Sequence, residues 1–224
     1  MGNINKIRNV SFLKTISLFG VVGSFFYFLH IISGRLLYKG YNPMAQAISD
    51  LTASNAPSRN TALLFSFFYG ICTVIFSLGF FFYFKGKINK IITVASFSFF
   101  LMAVVSFFGY TFFPLSEAGY AGNFQDKIHV VVTVFVVAFT MIAVILFSIG
   151  FFKIKELKYL GIISLITFIL LITGAILINL LPAKYFGIAE RINIYSVILY
   201  TSILSVWMYK KINNERENRR LLNG

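Results

Sequence analysis

The scarce acids and histidines of this chain have types and spacings that suit acid–base or metal chemistry. Asp126 and His129 lie three residues apart, which places both side chains on one helix face if a helix begins by Gln125. A carboxylate in that position can orient an imidazole. The alternative is an acid favoured by the helix dipole, followed by a histidine whose polar tip lies at the lipid headgroups.

Asp50 and Glu190 complete the candidate catalytic set with Asp126 and His129. The candidate ligand-binding side chains are Arg35, His30, Asn179, Ser49 and Arg191. An arginine fork suits a carboxylate or phosphate, although Arg35 and Arg191 also fit simple interfacial anchors. His30 and Asn179 equally fit hydrogen bonds between packed helices.

These groups are embedded in a chain of 224 residues that is 58% hydrophobic and only 12% charged. A bilayer core about 30 Å thick requires about 20 apolar residues per helix. The sequence therefore predicts an all-α membrane bundle with six transmembrane helices. The predicted spans cover residues 13–37, 61–84, 88–113, 129–152, 157–181 and 192–209.

Basic residues determine the predicted orientation of this bundle. Fourteen of the twenty lysines and arginines lie in the terminal segments and in the turns near residues 85–90 and 153–158. The positive-inside rule places these segments and both termini in the cytoplasm. It also explains the net charge of +13 without nucleic acid. We expect one multi-pass domain over residues 1–224, with a basic cytoplasmic tail at 210–224, in a bacterial plasma membrane.

The first outer loop contains its own helical pattern. Asn42 is a candidate N-cap, Pro43 fits the first helical position, and apolar residues recur with helical spacing from Met44 to Leu51. We expect a short amphipathic helix over residues 42–53, with Ser49 and Asp50 on its polar side. Such a helix is either a lid over the outer mouth or a surface element without a role.

Several segments of this loop, and two later segments, resemble a known family. The Gly-Tyr-Asn-Pro run at 40–43, the Ile-Ser-Asp-Leu-Thr-Ala run at 48–53, the Ala-Pro pair at 56–57 and segments 113–115 and 126–129 are similar to the domain of unknown function 998 family of bacterial and archaeal membrane proteins. This resemblance implies a six-helix membrane fold and little about activity. A shorter similarity, carried by Ile48, Ser49, Asp50 and Pro57 and by residues 123–125 with His129, is to the damage-regulated autophagy modulator family and implies lipid handling.

Three classes of function remain open. The first is an outward-facing polar site that binds or remodels a lipid or other amphiphile, with membrane lipids as partners. The second is an intramembrane hydrolase in which His30, His129 and Asp50 or Asp126 hold zinc and another acid activates water. A Ser-His-Asp arrangement with Ser49 or Ser116 lacks a supporting motif. A transporter or channel is the third class, although the middles of the spans carry few polar groups. The oligomeric state is not determined by the sequence.

Overall fold

Six long helices make up almost the whole chain. The structure is a computed structural model that describes residues 2–86 and 89–223, with side chains described for residues 11–86 and 89–218. Six of its helices are long and apolar enough to cross a membrane, and the described residues contain no strand. They are α1 (Gly2–Leu37), α2 (Arg59–Phe84), α3 (Lys90–Phe112), α4 (Phe124–Phe152), α5 (Lys158–Leu180) and α6 (Phe186–Asn223). The predicted all-α fold with six transmembrane helices is confirmed.

Several helices extend beyond the predicted spans, because polar residues continue a helix outside the hydrocarbon. The Asn123 side chain accepts a hydrogen bond from the Asp126 N–H at 3.0 Å and starts α4 five residues before position 129. At the other end of the chain, α6 continues through the basic tail as far as Asn223. Lys87 and Ile88, the predicted start of the third span, lie outside the described residues.

The six helices pack in a ring. Each helix contacts the next in the chain, and α6 closes the ring against α1. One end of the ring carries loop 1 (residues 38–58), loop 2 (residues 113–123) and the connection 181–185, and we call it the loop end. The opposite end carries the turn at residues 85–86, the connection 153–157 before α5 and the C-terminal part of α6, and we call it the basic end.

Phenylalanines and small hydroxyl residues join the helices. Phe76, Phe80, Phe99 and Phe147 are fully buried in a core that reaches toward the basic end. Serines bond across helix pairs, as where the Ser98 hydroxyl donates to the Phe139 carbonyl at 2.9 Å. Further pairs are Ser205 with the Ser17 carbonyl, Ser148 with the Gly161 carbonyl and Ser164 with Tyr200. Such contacts suit helices in lipid, where close packing and interhelical hydrogen bonds drive association.

The predicted amphipathic helix of loop 1 is present only as a turn at residues 43–45 and a single 3-10 turn at Ser49–Thr52. The Asn42 side chain does cap the first turn, since it accepts from the Met44 N–H at 3.0 Å. Ile48 and Leu51 are buried, as the apolar pattern predicts. Asp50 is also buried, although the pattern places it on the polar side.

Contacts with the first turn of α6 explain why loop 1 does not form a continuous helix. A continuous helix would join the Ala47 N–H to the Pro43 carbonyl and the Ile48 N–H to the Met44 carbonyl. Instead, the Pro43 carbonyl accepts from Arg191 at 2.6 Å and the Met44 carbonyl accepts from the Ile188 N–H at 3.2 Å. The two freed N–H groups donate to carboxylates, Ala47 to Asp50 at 3.1 Å and Ile48 to Glu190 at 2.8 Å.

This exchange of partners requires glycine at position 187. A Cβ atom there would lie 2.5 Å from the Pro43 carbonyl oxygen and closer still to the Gln46 carbonyl oxygen. Both obstacles are backbone atoms, which cannot rotate away as a side chain can. We therefore expect Gly187→Ala to lower the stability of the fold by about 1–3 kcal/mol, as overpacking does.

Thermal unfolding of the purified protein in detergent measures this effect. Gly23→Ala is the matched control, because its added Cβ would lie 3.1 Å from the nearest atom, which belongs to the Cys72 side chain. We expect the control to lose less stability than Gly187→Ala. Equal melting temperatures for Gly187→Ala and the wild type would contradict the close approach of α6 to loop 1.

Candidate functional site

Asp50 joins the two loops of the loop end. One carboxylate oxygen accepts from the Gly119 N–H of loop 2 at 3.0 Å, and the other accepts from the Ala47 N–H of loop 1 at 3.1 Å. The side chain is only 3% exposed. A buried carboxylate that bonds two loops is part of their packing, whatever else it does.

Glu190 and Arg191 extend from α6 to the underside of loop 1. One oxygen of Glu190 accepts from the Ile48 N–H, while no hydrogen bond from the described residues reaches the other. The Arg191 guanidinium donates to the carbonyls of Pro43, Gln46 and Gly187 and to the Tyr41 hydroxyl. Arg191 is therefore occupied by backbone, and Glu190 retains one free oxygen.

Asp126 organises loop 2 instead of orienting His129. Its carboxylate accepts from the N–H groups of Ser116 at 2.7 Å, Ala121 at 2.6 Å and Gly122 at 3.1 Å. The His129 ring is oriented by the Phe113 carbonyl, which lies 2.8 Å from Nδ1. The two side chains do share one end of α4, but each has its own partners.

Both histidines are held in the same manner. Nδ1 of His30 lies 2.9 Å from the Ala62 carbonyl, as Nδ1 of His129 does from that of Phe113. A carbonyl oxygen can only accept, so we assign the proton to Nδ1 in both rings. In a neutral ring this leaves Nε2 as an acceptor, and no hydrogen bond within the described residues reaches Nε2 of either histidine.

Most titratable groups of the loop end are electrostatically connected, and His30 joins them through a ring contact with Tyr27, with centroids 5.5 Å apart. Asp50 lies within electrostatic reach of His129 and Arg191, and Glu190 lies within reach of Asp50. The phenol of Tyr27 in turn lies within reach of Glu190 and of three further phenols. We call these residues the loop-end cluster: Tyr27, His30, Tyr41, Asp50, Tyr69, Tyr110, Asp126, His129, Glu190, Arg191 and Tyr195.

Five tyrosines of this cluster were not anticipated from the sequence. The rings of Tyr27 and Tyr69 meet edge to face with centroids 4.7 Å apart, and the Tyr110 ring lies 4.9 Å from that of His129. Tyr41 donates to the Ala47 carbonyl at 2.7 Å and accepts from Arg191. A signal was available for one of them, because Tyr27 precedes His30 by three residues and so shares its helix face. The other tyrosines gave no such signal, because Tyr and Trp are common near the ends of membrane spans.

Three predicted ligand-binding residues lie apart from the cluster. Arg35 is exposed at the end of α1, and the described residues supply it with no ion pair or hydrogen bond. Asn179 is exposed on α5 and donates to the Ala175 carbonyl of its own helix at 2.9 Å. Ser49 is half-buried in the 3-10 turn, where its carbonyl accepts from the Thr52 hydroxyl.

The predicted zinc ligand set is not assembled. Among the described residues, no group of three or more His, Cys, Asp and Glu side chains is placed to hold a metal ion. His30 is turned toward α2, and Asp50 is turned toward the loop amides. The described residues therefore do not bring His30, His129 and Asp50 together in this conformation, and the zinc alternative stays a prediction.

The cluster is covered by its own loops. His30, Asp50, Asp126 and His129 are all buried, and so is Leu51 of loop 1. The predicted open outer pocket is therefore closed in this conformation. Burial raises the pKa of the Asp50 carboxyl above its usual value, in spite of its hydrogen bonds from Gly119 and Ala47 and the nearby Arg191. Burial likewise raises the pKa of Tyr41 to about 12, so Tyr41 stays a neutral donor.

The ring of long apolar helices defines a polytopic helical membrane protein. Its polar cluster is concentrated at one end of the bundle, under loops 1 and 2. Residues 21–207 match the family described as Protein of unknown function (DUF998), and the chain belongs to this family. The resemblance carried by residues 40–43 and 48–53 is thereby confirmed. No curated protein and no solved structure matches the chain. The similarity to the damage-regulated autophagy modulator family stays a prediction.

Asp126→Asn is expected to loosen loop 2. In the wild type one carboxylate oxygen accepts from the Ser116 N–H, and the other accepts from the N–H groups of Ala121 and Gly122. Asparagine has one oxygen and one NH₂ group, so it cannot accept from both sides. We expect a loss of about 1–3 kcal/mol, because two backbone N–H groups lose a charged acceptor. Faster hydrogen exchange at residues 116–122 measures it. Glu117→Gln, an exposed acid of the same loop, is the control. Unchanged exchange in Asp126→Asn would contradict this role.

The raised pKa of Asp50 predicts how stability changes with pH. The folded protein binds more protons than the unfolded chain between the usual and the raised pKa of Asp50, so its contribution to stability falls as pH rises through this window. Asp50→Asn lacks this contribution. We therefore expect the melting temperature of the wild type, relative to Asp50→Asn, to decrease as pH rises through and above the usual aspartate pKa of about 3.9. Parallel curves for the two proteins would contradict the raised pKa.

Proposed function

We propose that the loop-end cluster binds the polar head group of a lipid or other amphiphile, whose apolar part lies in or beside the helix ring. The observation that carries this proposal is the convergence of titratable side chains from α1, loop 1, α2, α3, α4 and α6 on one end of the bundle. Charged and polar groups are costly in a membrane protein and mark functional positions by default. Following the charge distribution, we place the loop end outside the cytoplasm.

The free atoms of the cluster indicate the chemistry of the ligand. Asp126 and Arg191 are occupied by backbone groups, so neither has much capacity left for a ligand. What remains is one oxygen of Glu190, the Nε2 atoms of two histidines and the faces of several tyrosine rings. These groups accept hydrogen bonds or attract cations. The favoured head group therefore donates hydrogen bonds, as an ammonium or hydroxyl group does, and is not a bare phosphate.

Access to the cluster requires a movement of loop 1 or entry between helices. Loop 1 is held by hydrogen bonds from one turn of α6 and from Asp50 and by the burial of Ile48 and Leu51, while its 3-10 turn contains only Ser49–Thr52. With one short turn of regular structure, loop 1 has fewer backbone hydrogen bonds to break than the long helices around it. The lid role expected for this loop thus remains part of the proposal, with a different local structure.

A Glu190→Gln variant tests the proposal. Glutamine retains an oxygen for the Ile48 N–H, so loop 1 keeps its contact, while the negative charge is lost. We expect a fluorescent phosphatidylethanolamine, added to the purified protein in maltoside micelles, to bind the variant about tenfold more weakly than the wild type, because hydrogen bonds to charged groups are the stronger ones. Glu217→Gln, an exposed acid of the basic end, is the matched control and is expected to bind as the wild type does.

Competition experiments refine the same measurement. Unlabelled phosphatidylethanolamine is expected to displace the probe, whereas phosphatidic acid, whose head group is a bare phosphate, is expected to displace it poorly. Melting temperatures of the three proteins establish that each is folded. Equal binding by the wild type and Glu190→Gln, with all three proteins folded, would show that the cluster does not bind this head group.

A further inference from the structure

A groove lies at the basic end, far from the loop-end cluster. It runs between α5 and α6, has a volume of about 540 Å³, and is lined mainly by Tyr159, Ile203, Val206, Trp207, Lys210 and Lys211. Leu157, Ser202, Asn214 and one acid, Glu156, complete the wall. This volume lies within the range of small-molecule sites.

The α6 wall of the groove changes from apolar to basic along the helix. Ile203, Val206 and Trp207 lie on the same stripe as Lys210 and Lys211, since these positions follow the spacing i, i+3, i+4, i+7 and i+8. From Ile203 to Lys210 the helix rises about 10 Å. The groove therefore offers an apolar surface that ends in two adjacent positive charges. This surface is complementary to a phospholipid, whose acyl chain is apolar and whose phosphate is negative.

The hydrogen-bond donors at the basic end of this wall are free. No ion pair or hydrogen bond within the described residues engages the ammonium group of Lys210 or Lys211, or the indole N–H of Trp207. The Trp207 ring is fixed by stacking on Phe84, with centroids 5.6 Å apart and planes only 2° apart, and by an edge contact with Tyr83 at 5.9 Å. These contacts hold the Trp207 ring in one orientation on the wall of the groove.

Charge favours an anionic occupant. Lys210 and Lys211 outnumber Glu156 within the groove, and Lys155 and Lys158 flank Glu156 along the chain. Basic pockets between transmembrane helices are typical sites for anionic lipid head groups. The exposed side chains of Ile203 and Val206 already face the surroundings of the bundle, where acyl chains lie.

We propose that this groove binds one anionic phospholipid from the surrounding leaflet. The lipid phosphate contacts Lys210, Lys211 and the Trp207 N–H, and an acyl chain lies along Ile203 and Val206. This site is independent of the loop-end cluster, because it involves the opposite end of α6 and the opposite charge preference.

Native mass spectrometry of the delipidated full-length protein tests the proposal, with phosphatidylglycerol or phosphatidylcholine added as the probe. We expect the wild type to retain phosphatidylglycerol about tenfold better than phosphatidylcholine, and the double variant Lys210→Gln, Lys211→Gln to lose about tenfold in phosphatidylglycerol retention. Trp207→Phe keeps an aromatic ring without the N–H and is expected to lose about threefold. Added salt is expected to weaken the preference.

The control is a second double variant with the same change of charge at the same end, Lys85→Gln with Lys90→Gln. Neither lysine lines the groove, and we expect retention within about twofold of the wild type. An equal loss in both double variants would show that only diffuse positive charge attracts the lipid. Equal retention of the two lipids by the wild type, or displacement by inorganic phosphate, would also overturn the proposal.

Discussion

The first turn of α6 supplies the hydrogen bonds that loop 1 would otherwise have to make as a helix. Arg191 and the Ile188 N–H take the loop carbonyls, while Glu190 takes the Ile48 N–H. Backbone groups removed from water must be paired, so this exchange allows an irregular segment to be buried over the end of a membrane bundle. It also requires the close approach at Gly187. The position of Asp50, and through it the contact with loop 2, follows from the same arrangement.

The carboxylates of the loop end have unequal amounts of unused bonding capacity. Asp126 accepts three backbone N–H groups and Asp50 accepts two, so much of their apparent chemistry is structural. Glu190 is the exception, because one of its oxygens has no protein hydrogen bond among the described residues while it faces a group of tyrosines. An acid that is partly unpaired in such surroundings is costly to retain unless a ligand or proton compensates it. This difference is the reason why Glu190, rather than the more buried aspartates, is central to the proposed function.

The two ends of the bundle present different chemistry to their surroundings. The loop end combines acids, imidazoles and phenols under a cover, while the basic end presents lysines beside an open apolar groove. Between them, serine hydroxyls and phenylalanine rings join neighbouring helices through a middle that carries few charges. This division is the reason why the two proposed lipid sites have opposite charge preferences.

The sequence by itself determined the six helices, because a bilayer accepts only long apolar segments with satisfied backbones and such segments are visible as runs of residues. It also indicated Asp50, Asp126, His129, Glu190 and Arg191, because charged groups in such a chain are rare. Only the tertiary structure decided what each of them contacts. The bond from Ile48 to Glu190 joins residues 142 positions apart, and no local pattern encodes it. For the same reason the helical pattern of loop 1 gave a wrong prediction, since α6 forms the hydrogen bonds on which that helix depended. Apart from Tyr27, the tyrosines could be assigned to the cluster only from the packing of the helices.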